Sequence, residues 1–126
     1  SDYGITGNNI YMALFPRPEK ENWTFDDVYV NAYTTSFQTS QKLAFVMEIT
    51  SDFRTGDEDV TTLCVVRDSS GKPVDYYRGT EQWHAMWTNK LYLGDLERMP
   101  QTPGDYTLEI YFNGALVKSQ TFTVSK

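Results

Sequence analysis

The sequence predicts an all-β fold: an antiparallel β-sandwich of seven to nine short strands. Three observations carry that prediction. The best-patterned segments alternate apolar and polar residues with a period of two, turn-forming clusters separate them at regular intervals, and no stretch reads as a long amphipathic helix. Strands evenly spaced and punctuated in this way fit a sandwich better than a barrel or an α/β fold.

The chain has 126 residues, a formal charge of −6, 40% hydrophobic residues and 15% aromatics. One domain of that length buries roughly two-thirds of its unfolded surface. An aromatic content this high excludes a largely disordered chain. No apolar run approaches the ~20 residues that a membrane helix needs, so no membrane insertion of this segment is expected. The acidic balance would repel phosphates and argues against nucleic acid as a partner. A single Cys, Cys64, cannot form an internal disulfide or a cysteine-based metal site.

Residues 1–9 are polar, contain two Gly and read as a lead-in or linker, leaving 10–126 as the domain. Ser1 is not an initiator Met and no signal peptide precedes the first strand-like segment, which predicts a piece of something longer. Ile10–Phe15 is the first candidate strand and is stopped by Pro16-Arg17-Pro18. Val28–Phe37 follows, with Thr34–Gln41 as an exposed, Thr/Ser/Gln-rich connection. The sequon Asn22-Trp23-Thr24 matters only in a eukaryotic secretory pathway.

Leu43, Phe45, Met47 and Ile49 alternate with Lys42, Ala44, Val46 and Glu48, which makes a strand with one strongly apolar face. Beyond the breaker Thr55-Gly56-Asp57 come Val60–Arg67 and Val74–Gly79, joined by the turn Asp68–Pro73 as a hairpin. Gln82–Trp87 is ambiguous, since Trp83, Met86 and Trp87 fit a helix while Trp83, Ala85 and Trp87 fit a strand. An irregular strand suits its neighbours better.

Leu91–Leu96 is the next strand, followed by the loop Pro100–Gly104. Tyr106, Leu108, Ile110 and Phe112 then share one face. Asn113-Gly114 supplies the positive φ angles of a two-residue type I′ turn, so the run Ala115–Val124 pairs back on its predecessor. Within that last run, Leu116, Phe122 and Val124 share parity with Lys118 and Gln120. Either a bulge shifts the register or the hairpin projects beyond the core.

From about Leu91 onward, Pro103-Gly104-Asp105-Tyr106 and the run YTLEIYFNGALVKSQTFTV resemble the closing hairpin of immunoglobulin-like and fibronectin-III-like sandwich domains. The similarity is to those of bacterial surface and secreted proteins, and it covers about a quarter of the chain. The resemblance implies a tyrosine corner at Tyr106, whose hydroxyl would bond to backbone a few residues upstream. The paired cysteines of antibody-type domains are missing here. An architecture of this kind hosts many functions.

Candidate chemistry is sparse. His84, the only imidazole, would have to anchor any triad, with a Ser or Cys64 as nucleophile. No Gly-x-Ser-x-Gly motif occurs, and Cys64 sits in the apolar run Leu63–Val66, where a core thiol behaves as a small hydrophobe. The expectation is therefore no catalysis, and no cofactor is implied. Asp52, Asp57, Glu58 and Asp59 offer oxygens to a hard cation but lack the spacing of a dedicated Ca²⁺ loop, so a solvated acidic turn is the better reading.

The aromatics are the strongest candidates. Tyr76, Tyr77, Trp83 and Trp87 cluster with Arg78, Glu81, Gln82 and His84. Tyr77, Trp83, His84 and Trp87 form a possible contact set for a protein partner or for neighbouring domains of the same chain. The alternative is a carbohydrate-binding platform on Tyr77, Trp83 and Trp87. A third option is that the tryptophans simply fill the space between sheets. Alternation sends Tyr76 and Tyr77 to opposite faces, so at most one joins any platform. The expectation is a non-catalytic module of a larger extracellular or cell-surface protein, serving adhesion, spacing or protein contact.

Overall fold

The computed structural model describes residues 6–15, 33–50, 58–83 and 89–126, apart from the side chains at 58, 83 and 89–91. Among the described residues there is no helix. Eight strands form: β1 (Thr6–Leu14), β2 (Ser36–Gln38), β3 (Leu43–Thr50), β4 (Glu58–Asp68), β5 (Pro73–Trp83), β6 (Asn89–Asp95), β7 (Gly104–Phe112) and β8 (Ala115–Ser125). They build two sheets, ordered β1-β3-β6 and β2-β8-β7-β4-β5.

The expected antiparallel arrangement needs one correction. Five pairings are antiparallel, but β2 runs parallel to β8, so the larger sheet is mixed. Period-two patterning reports which residues share a face and is blind to the direction of the neighbouring strand. The short β2 lies along the edge left by β8, and Phe37 drops inward to meet Phe122 edge-on at 6.2 Å.

The core lies between the sheets. Leu43, Phe45, Met47 and Ile49 of β3 oppose Val60, Cys64 and Val66 of β4 and Leu108, Ile110 and Phe112 of β7. Tyr92 of β6 bridges the layers, with its ring 6.0 Å from Phe45 and 5.3 Å from Phe112. Fully burying each such large side chain stabilises the fold by ~1.5–3 kcal/mol. β3 is also buried on its other face, where Ala44 and Val46 join Ala13, Phe15 and Leu93 in a second small cluster. That second apolar layer was not legible from the alternation.

Three boundaries differ from expectation. β1 opens at Thr6, so residues 6–9 belong to the sheet and not to a lead-in. The polar stretch is held there by side chains: Asn8 Nδ2 donates to Thr50 Oγ1 at 2.6 Å, while a Cβ on Gly7 would come within 2.8 Å of Val117 Cγ1. Second, Val74–Gly79 and the start of Gln82–Trp87 are one continuous strand, β5, with Gly79 paired to Thr62 inside it. Third, a bulge does resolve the parity of the last strand. Ile110 pairs with Lys118 and Tyr111 with Leu116, leaving Val117 as the extra residue, packed against the core.

The turns follow the local chemistry. Asn113 (φ 50°) and Gly114 (φ 83°) are both left-handed, as a type I′ hairpin requires. At the β4–β5 turn, Asp68 Oδ1 accepts from the Ser70 and Lys72 amides, and Gly71 takes φ 87°.

Candidate functional site

The outer face of the five-stranded sheet is the candidate surface, and pairing register alone assembles it. Tyr76 of β5 lies beside Val65 of β4, which lies beside Glu109 of β7. In the next row Arg78, Leu63, Tyr111 and Leu116 run across β5, β4, β7 and β8. Tyr76 and Leu116 are 61% and 53% exposed, while Leu63 and Tyr111 are half-buried and Val65 is buried among its neighbours. Arg67 and Glu109 form an ion pair, and the Tyr111 hydroxyl donates to the same carboxylate at 3.0 Å. The Arg78 guanidinium stands 5.8 Å from the centre of the Tyr76 ring. The face therefore combines apolar and aromatic side chains with fixed polar groups, the composition of a protein-contact patch.

Tyr77 turns the other way. It packs half-buried against the core, its hydroxyl donates to Asp75 Oδ2 at 2.9 Å, and it accepts from the Arg98 amide at 3.2 Å. Burial first, with the Asp75 carboxylate assisting against the Arg98 amide bond, pushes its hydroxyl up to about 12. The Arg98 guanidinium lies 5.6 Å from the ring centre. The exposed tyrosine of the pair is thus Tyr76, and Tyr77 serves as a clasp for the 96–103 loop. Parity with the inward Cys64 carried that signal, because Cys64 pairs with Tyr77. The roles of Asp75 and Arg98 had no local signature, since they are 23 residues apart.

Beside the clasp, Val66, Val74, Asp75, Arg98, Thr102 and Tyr106 line part of an open cleft of about 320 Å³. Its charged groups are already paired with each other, so it presents no free cation or anion among these. Tyr106 is buried, stacks on Phe122 at 5.8 Å, and donates its hydroxyl to the carbonyl of Thr102, four residues upstream. Burial, with a smaller push from Asp68, raises its pKa.

Cys64 is buried, with Sγ 3.8 Å from the Tyr92 hydroxyl. Burial pushes its thiol up to about 11, which leaves almost no thiolate at neutral pH. Trp83 ends β5, and its side chain, together with His84 and Trp87, lies outside the described residues. Of the acidic set, Glu58 and Asp59 start β4 and do not lie in a loop. Asp59 is exposed, and Asp52 and Asp57 lie outside the described residues. Among the described residues, no group of three or more His, Cys, Asp or Glu side chains is placed to hold a metal ion.

No protein-family model and no curated protein matches the chain. Solved structures do. An immunoglobulin-like protein of Pseudomonas aeruginosa superposes with a TM-score of 0.52 at 15% identity, over 95% of both chains. The Pseudomonas fluorescens alkylpurine DNA glycosylase AlkC, bound to DNA containing an abasic site analog, superposes with a TM-score of 0.64 at 8% identity. That match covers 98% of this chain and 31% of the glycosylase. Likenesses at such identities define the fold, which is immunoglobulin-like.

Proposed function

We propose that this chain is a non-catalytic immunoglobulin-like module of a larger extracellular or cell-surface protein, and that it works by protein contact, in adhesion or in spacing neighbouring domains. The observation that carries the reading is the outer face of the five-stranded sheet, where exposed Tyr76 and Leu116 flank Leu63, Val65 and Tyr111. Exposed large apolar side chains gathered in rows, with Tyr and Arg among them, are what hot spots are made of. The glycosylase lends support of a general kind, since the fold there accounts for under a third of a longer chain. Its DNA ligand is not carried over: a formal charge of −6 disfavours a phosphate backbone.

The sugar-platform alternative is the weaker reading, because Tyr77 has its hydroxyl bonded and its ring against the Arg98 guanidinium. The test is site-specific photo-cross-linking in the full-length parent protein. A cross-linking residue at position 76 or 116 should capture a neighbouring domain or partner protein, while one at Asn9, on the other sheet, should not. Equal labelling from all three positions would remove the face from consideration. Tryptophan fluorescence that responds to polysaccharide but not to protein would favour the platform instead.

A further inference from the structure

Among the described residues no strand pairs with the outer edge of β5, and the protection of that edge is unevenly distributed. Exposed sheet edges are normally blunted by proline, bulges, charge or short length. Here the backbone devices sit at one end, and farther along the protection is limited to the side-chain charges of Arg78 and Glu81. Pro73 opens the strand, Val74 is the unpaired bulge residue, Asp75 Oδ1 accepts from the Tyr76 amide at 2.9 Å, and Arg98 is held across the same end by Asp75. From Tyr77 to Gln82 there is no proline, no bulge and no lysine, and no other described strand pairs with this edge.

Register fixes which backbone groups point outward. Thr61 donates its amide to Asn113 Oδ1 and accepts from the Asn113 amide, both at 2.9 Å. Those bonds lie on the β7 side of β4, away from β5. Thr61 and its partner Thr80 therefore form a non-hydrogen-bonded pair, and the amide and carbonyl of Thr80 point away from β4. The Tyr76 amide, bonded to a side chain and not to β4, follows the same alternation. By that alternation Arg78 and Gln82 also present their backbone groups to that outer edge.

We propose that Arg78–Gln82 receives an extended segment of another protein as an added antiparallel strand, with an acidic side chain opposite Arg78 and a bulky apolar one opposite Gly79. Arg78 is exposed, and among the described residues its guanidinium stands against the Tyr76 ring, so it offers charge to a carboxylate. Gly79 carries no side chain in the inner row between Tyr77 and Glu81, where a Cβ of its own would come 3.0 Å from the Thr62 hydroxyl, so a large side chain on an added strand can cover the glycine backbone. Main-chain bonds supply affinity in such a mode, and alternate side chains supply selectivity.

A second copy of this chain fits poorly. Self-pairing centred on Arg78 opposes two guanidiniums, and centring on Gly79 leaves both gaps empty. Centring on Thr80 sets the second copy's Glu81 carboxylate against the gap. Arg78 belongs both to this edge and to the outer-face row through Leu63, so the backbone readouts at Thr80 and Gln82 are the ones that separate this proposal from the outer-face reading.

The experiment uses amide hydrogen exchange with a capped peptide, Thr-Val-Thr-Phe-Glu-Val-Thr. Exchange at Arg78, Thr80 and Gln82 should slow on adding the peptide, while Tyr77 and Gly79, already in the β4 ladder, should change little. Thr80→Pro removes an outward donor without touching the ladder and should weaken binding about tenfold or more. Arg78→Glu should weaken binding up to about fivefold and should prefer a peptide with Lys in place of Glu. If Thr80→Pro does not fold, the charge swap decides together with exchange at Thr80 and Gln82. No slowing with the peptide, or binding indifferent to the Arg78 swap, overturns the proposal. So does protection at these amides that grows with protein concentration alone, which would make the occupant a second copy.

Discussion

Arg98 grips Asp75 with two parallel hydrogen bonds, Nε to Oδ2 at 3.0 Å and Nη2 to Oδ1 at 2.7 Å, across 23 residues of sequence. The same carboxylate also accepts from the Tyr77 hydroxyl and the Tyr76 amide, so one side chain ties the β6–β7 loop to an edge strand. Arg98 is well exposed and loses little when cut back, whereas Asp75 is the shared acceptor.

That asymmetry sets the first prediction. Asp75→Ala should cost about 1–2 kcal/mol in denaturant unfolding. Arg98→Ala should cost less than Asp75→Ala, because solvent screens an exposed guanidinium. The Arg98 hydrogen bonds hold the Asp75 carboxyl below its ordinary value of 3.8, with Tyr77 adding to them against partial burial. The folded state therefore binds this proton less readily than the unfolded one. Its contribution is present above that value and is lost as pH falls through the lowered one. Asp75→Asn should flatten the acid limb of the stability curve, and an unchanged limb would dismiss the clasp.

Tyr106→Phe keeps the ring on Phe122 and deletes only the hydroxyl that reaches Thr102. A destabilisation of about 1–2 kcal/mol is expected, with unchanged far-ultraviolet circular dichroism. A loss under about 0.3 kcal/mol would mean that water replaces the bond at no cost.

The thiol gives an alkaline counterpart. Cys64 is raised from 9.0 to about 11 by burial, partly offset by its contact with Tyr92. Between those values the folded chain holds a proton that the unfolded chain has lost, so stability falls as pH rises through the window. Cys64→Ala should reduce that slope between pH 9 and 11, at the cost of a small cavity. In the native protein at pH 8 an aromatic disulfide reagent should leave the thiol unmodified, and urea should expose it. Fast native labelling would contradict the burial.

Gly114 turns the final hairpin at φ 83° with nothing near its missing Cβ. Gly114→Ala should therefore cost only the left-handed backbone penalty, about 1 kcal/mol, and unfolding measurements should show no change in m-value. A cost several times larger would mean that the turn has rearranged.

Much of this fold could be read directly. The β7–β8 hairpin, the inward set Tyr106, Leu108, Ile110 and Phe112, and the Asp68–Pro73 turn are local statements, written in parity and turn chemistry. The start of β1 was missed because its polar residues are held by cross-strand side chains, as Asn8 is by Thr50. Of the contact set, parity separated Tyr76 from Tyr77 but could not say which one faced water. That depended on Cys64 lying opposite Tyr77.

By itself, the order of residues determined that the chain makes strands, where the main turns fall and which side chains share a face, since each depends on neighbours within a few positions. The tertiary structure alone decided that β2 runs parallel to β8, that Asp75 meets Arg98, and that β5 is the last of the described strands in its sheet. Those outcomes depend on which strand lies beside which, and such long-range pairing is chosen by the packing of the whole core.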